Sequence, residues 1–68
     1  MSTFKDRLAE EQFELSAKID KLEIFTDNQI FRNLDEENRK LLVNQLFAMK
    51  MYNEVLLQRI ELLNKDKL

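Results

Sequence analysis

The stretch NQLFAMKMYNEVLLQRI, residues 44–60, decides the fold, because it reads as a helix with two apolar sides. At about 100° per residue, Leu42, Leu46, Met49, Leu56, Ile60 and Leu63 gather on one side of the helix. Val43, Phe47, Met51, Val55 and Leu62 fall nearly opposite. Between the two sets, Gln45, Tyr52 and Arg59 recur every seven residues and return to one edge of the first stripe.

The helix extends in both directions from this stretch. Asp35 is placed to cap it, and Glu36 and Glu37 put negative charge in its first turn, where the helix dipole favours it. Nothing interrupts it before Leu63, so the spacing predicts a helix over 35–63. Upstream, Phe4, Leu8, Leu15, Ile19, Leu22 and Phe25 keep the three-and-four spacing of an amphipathic helix. Ser2 or Thr3 can cap its start and Asp6 lies in its first turn, which predicts a helix over 3–26. Thr26-Asp27-Asn28 is a cluster of capping residues that breaks the chain. A short helix over 28–34 then carries Ile30, Phe31 and Leu34 as its apolar contacts. The expected architecture is all-α: two long antiparallel helices joined by a short helical elbow, as one hairpin domain over residues 1–68.

A hairpin partner covers one side of a helix. Phe13, Ala17 and Ile24 lie opposite the Leu8/Leu15/Leu22 stripe, so the first helix is apolar on both sides as well. A helix apolar on two sides is buried on two sides, and a helical homo-oligomer is expected. Its interface would use Val43, Phe47, Met51, Val55 and Ile24.

Composition narrows the function. The 68 residues include no Cys, Gly, Pro, His or Trp. Disulfides and Cys/His zinc sites are excluded, and a single core this small is marginal without such staples. Turns must be built from Asn, Asp, Ser and Thr. Thirteen acidic against eleven basic residues give net −2 and a pI near 5.1, which is no electrostatic footprint for duplex DNA or RNA. No apolar run reaches the ~18–20 residues of a membrane span, and no signal-peptide core follows the N-terminus. A soluble cytoplasmic protein is the default expectation.

Without His, Cys or a Gly-rich loop there is no catalytic constellation, so no enzyme, catalytic residue, metal or cofactor is expected. The carboxylates at Glu10-Glu11 and Asp35-Glu36-Glu37 suit solvated faces and helix starts. The Gln45/Tyr52/Arg59 line has two readings. As packing, Tyr52 buries its ring with a wet hydroxyl and Arg59 lays its stem over apolar neighbours. As a ligand pocket, Tyr52 offers a stacking face and Arg59 a two-pronged phosphodiester donor. Phe13, between Gln12 and Glu14, likewise reads either as protomer packing or as an aromatic platform for a base.

The ordered set Glu14-Leu15, Lys18-Ile19, Lys21-Leu22, Phe25, Leu34, Leu41-Leu42, Gln45, Met49, Tyr52, Leu56 and Arg59-Ile60 resembles a family of very small tailed-phage proteins. That family includes the anti-CBASS cyclic-oligonucleotide sponges, and the match runs over roughly Phe4 to Leu62. The resemblance implies a helical oligomer, a hexamer by analogy, in the cytoplasm of the infected bacterial host. It would trap cyclic di- and trinucleotides between protomers without cleaving them. It also implies an aromatic on the first helix that stacks on a base, and a lysine shortly after that helix. Here those neighbourhoods hold Gln12-Phe13 and Thr26-Asp27-Asn28, where Asp27 would repel phosphate and the nearest cations are Lys21 and Arg32. Tyr52 and Arg59 fit the pattern directly. The ligand-binding set is therefore Gln12, Phe13, Lys21, Asn28, Tyr52 and Arg59. The rival expectation is a structural or interaction oligomer with no nucleotide ligand.

Overall fold

A computed structural model describes residues 3–65. Three helices follow in order: α1 over Phe4–Thr26, α2 over Gln29–Arg32 and α3 over Glu36–Lys65. No strand occurs among the described residues.

Local chemistry sets each boundary. Thr3 is the N-cap of α1, so the helix itself begins one residue later than the spacing suggests. Its hydroxyl accepts from the Asp6 backbone N–H at 3.1 Å, while the Asp6 carboxylate accepts from the Thr3 N–H at 3.3 Å. This reciprocal capping box satisfies two amides that have no partner inside the helix. Ser2, the other candidate cap, lies outside the described residues. Thr3→Ala is expected to lower stability by about 1 kcal/mol, read from the midpoint of urea unfolding followed by circular dichroism. A change near zero would show that the cap contributes nothing.

The elbow works without glycine because no described residue has positive φ. Asp27, Asn28 and Asn33 turn the chain at φ −91°, −87° and −86°, which any residue with a Cβ can adopt. The Asn28 side chain caps α2 by accepting from the Ile30 N–H at 2.8 Å. The helical part of the elbow is only four residues long. Phe31 folds back onto Phe25 edge-to-face, with ring centroids 6.0 Å apart. Leu34 is half-buried, but Ile30 points out at 62% exposure. The elbow is one helical turn, and a single turn buries one side only.

α1 and α3 pack antiparallel along the stripes read from the sequence. Leu8, Ile19 and Leu56 are buried, and Leu42, Leu46, Met49, Ile60 and Leu63 are half-buried beside them. Phe4 departs from the expected stripe and is 57% exposed. It starts α1 at the open end of the hairpin, where the Arg59 side chain lies over its ring. Cross-links of a polar kind flank the seam. Gln12 Nε2 donates to Asn53 Oδ1 at 3.2 Å, and Lys50 pairs with Glu23 at 2.9 Å.

Two helices cannot enclose a core. The molecule measures 52 × 20 × 14 Å, with a radius of gyration of 15.6 Å against roughly 11 Å for a compact chain of this length. Its accessible surface is 5,628 Å², where a compact 8.2 kDa monomer would show roughly 4,500 Å². Phe13, Ile24, Phe47, Met51 and Leu62 are each more than 60% exposed. Of the expected interface residues, Val43 alone is half-buried, against the elbow beside Phe31.

Candidate functional site

The seven-residue line on α3 does face one edge of the hairpin, and the hairpin register decides what stands across from it. The Tyr52 hydroxyl donates to the Glu11 carboxylate. One heptad further on, the Arg59 guanidinium carbon lies 5.9 Å from the centre of the Phe4 ring, within cation–π range. One heptad back, the Gln45 amide reaches the Met49 sulfur at 3.9 Å. Tyr52 and Arg59 thus each meet a side chain of α1 that the sequence assigned to another role, Glu11 to a solvated face and Phe4 to the apolar stripe.

Two shallow recesses occupy this edge. Phe4, Arg7, Leu8, Glu11 and Arg59 line one of about 240 Å³. Lys18, Lys21, Leu22, Phe25, Gln45 and Met49 line another of about 350 Å³. The first sets two guanidinium groups beside an aromatic ring, and the second sets two ammonium groups beside another. Each combination suits a phosphate attached to a planar base: Arg gives paired donors, Lys a point charge, and Phe a stacking face. Tyr52 stands between them, and its hydroxyl occupies Glu11, the carboxylate that shares the first recess with the two arginines.

The remaining expected residues lie elsewhere. Gln12 is on the opposite edge, bonded to Asn53. Phe13 comes two residues after Glu11, about 200° further around α1, and is 73% exposed on the outer face. Asn28 caps the elbow with its side-chain oxygen already engaged, and Asp27 is the C-cap of α1. Of the six expected ligand residues, one protomer brings Lys21, Tyr52 and Arg59 onto a common edge. It leaves Gln12, Phe13 and Asn28 on other surfaces. Phe4, Arg7 and Lys18 join that edge without having been foreseen. They become visible once Tyr52 is set against Glu11, because α1 then runs backwards along α3 from that rung.

A third recess, of about 520 Å³, lies at the elbow between Phe31, Glu36, Arg39, Lys40, Val43 and Asn44. The Arg39 Nε is buried there with no hydrogen-bond partner among the described residues, while Lys40 is engaged by Glu36 at 3.5 Å. Among the described residues no group of three carboxylates is placed to hold a metal ion. No helix there is long and apolar enough to cross a membrane.

A family model described as Sequestin matches residues 2–62, which covers the whole hairpin edge just described. The chain belongs to the Sequestin family. That description points to a sequestering protein that binds a small ligand, and no catalytic family is indicated. No curated protein and no solved structure matches the chain.

Proposed function

We propose that this Sequestin, acting as one hairpin domain in a homo-oligomer, binds and holds cyclic di- and trinucleotide second messengers. It does not cleave them, and in the cytoplasm of a phage-infected bacterium it would starve CBASS-type immunity of its signal. The observation that carries the reading is the Arg59–Phe4–Arg7 constellation: two guanidinium groups and an aromatic face on one open recess. A cyclic oligonucleotide presents the complement, phosphodiesters fixed next to planar bases. Membership of a family described by sequestration supports holding rather than turnover. The resemblance noted above supplies the messenger class and the hexamer.

A second reading, a purely structural helical oligomer, is favoured by the exposed apolar surface of α3. Ligand binding separates the two. Isothermal titration against 3′,3′-linked cyclic di-AMP, di-GMP and AMP–GMP and a cyclic tri-AMP is expected to give saturable heat with at least one of them. At a hundred times its Kd that nucleotide should stabilise the fold by about 2.7 kcal/mol, seen as a rise in Tm. Silence across the panel, with no shift in Tm, would leave the structural reading standing.

A further inference from the structure

The recess at the open end of the hairpin contains a conflict of charge. Arg7, Arg59 and the carboxylate of Glu11 all line it, and a carboxylate there competes with any phosphate for the same guanidinium donors. Arg7 precedes Glu11 by four positions on α1, the separation at which helical side chains pair. Yet neither arginine forms an ion pair with Glu11 or with any other described residue. Glu11 instead accepts a hydrogen bond from the Tyr52 hydroxyl, and Arg59 lies over the Phe4 ring.

Helix geometry gives the hydroxyl this place. Arg59 and Phe4 stand one heptad away from Tyr52 and Glu11, about 10.5 Å along each helix, and Arg7 falls between the two rungs. A phenol donates one hydrogen bond from a neutral group, so it holds the carboxylate without adding a cation of its own. The pair Gln12–Asn53 crosses the hairpin one residue further along each helix, on the opposite edge, and both pairs join residues 41 apart. The register at this rung therefore has a second polar clamp, which loss of the Tyr52 hydroxyl leaves in place.

We infer that Tyr52 is a positioning residue: its hydroxyl clasps Glu11 and so keeps the guanidinium groups of Arg7 and Arg59 open to a phosphate. Released from the hydroxyl, Glu11 turns along α1 to Arg7 or across the seam to Arg59. There it takes the donors that a phosphate would use, and a ligand must break that pair before it binds. This role is separate from the stacking face that the Tyr52 ring offers, which a phenylalanine supplies equally. The part the clasp plays in binding rests on the sequestration reading above; the clasp itself does not.

Tyr52→Phe removes the hydroxyl and keeps the ring. Isothermal titration with the tightest-binding of the four cyclic nucleotides is expected to show a loss of about three- to fivefold, the upper range for an exposed ion pair that must first be broken. Made in the Glu11→Gln chain, the same substitution should change affinity by less than about twofold, because no carboxylate remains to be released. An equal loss in both backgrounds places the hydroxyl on the ligand, and no loss in either removes it from the site; each result overturns the positioning role. Two further readouts need no ligand. The chain has one tyrosine and no tryptophan, and a carboxylate that accepts from a phenol quenches its emission, so Glu11→Gln should brighten the protein at unchanged helicity. In heteronuclear NMR spectra Tyr52→Phe should move the side-chain Nε–H resonance of Arg7 or Arg59, and adding Glu11→Gln should return it. Unchanged emission, or arginine resonances that stay in place, overturns the clasp. If the unaltered protein binds none of the four nucleotides, the sequestration reading fails, while the emission and the arginine resonances still decide the clasp.

Discussion

Leu56→Ala is expected to destabilise the protein by about 3 kcal/mol, within the ~2–5 kcal/mol range for removing a buried leucine side chain. Leu56 is 0% exposed, the most deeply buried side chain of the α1–α3 seam among the described residues. Only Leu8 and Ile19 are buried with it among the described residues, so few neighbours can collapse into the space it leaves. Stability of a chain this short is small to begin with, and the variant should show a much lower denaturation midpoint or incomplete folding at 25 °C. Val55→Ala serves as the control. Val55 is half exposed, and its loss should be far smaller at protein concentrations where the chain is monomeric. A cost below about 1 kcal/mol for Leu56→Ala would show that the seam is not the core.

The second large effect concerns the ligand edge. Arg59→Ala should weaken the proposed cyclic-nucleotide binding by about 1.5–3 kcal/mol, roughly 10- to 150-fold, the range for losing a charge-assisted hydrogen bond. Arg59→Lys should recover only part of this. It keeps the charge but loses the planar fork and the guanidinium stacking over Phe4. Titration calorimetry on variants of unchanged helicity measures both. Equal affinity for the alanine variant and the original chain would remove Arg59 from the site. Comparing the two substitutions also separates charge from geometry, because a purely electrostatic role would leave the lysine variant close to full affinity.

The polar elements around the seam leave the charged groups of its two edges differently engaged. On the opposite edge, Gln12 with Asn53 and Glu23 with Lys50 satisfy one another across the hairpin. Their exposure makes the ion pair worth little in stability, but it leaves those groups engaged. On the edge of Tyr52 and Arg59 the carboxylate of Glu11 is held by Tyr52, while Arg7, Lys18 and Lys21 make no ion pair with a described residue. The charge of the edge is therefore cationic at both ends, despite the net acidity of the chain.

Hydrophobic spacing alone determined that this protein is helical, where its two long helices lie, and that each has a second apolar side. A helix fixes the direction of every side chain about its own axis, so Leu56 and Phe47 could be sorted to opposite faces from the sequence. The same logic placed Gln45, Tyr52 and Arg59 on one edge. Periodicity does not fix how far one helix is displaced along another. That offset comes from the elbow, where Asp27, Asn28 and Asn33 turn the chain within a few residues and Phe31 locks onto Phe25. Only the tertiary structure decided that Tyr52 meets Glu11, that Arg59 lies over Phe4, and that Gln12 is bonded to Asn53 on the opposite edge. Angle is a property of one helix, but register belongs to the pair.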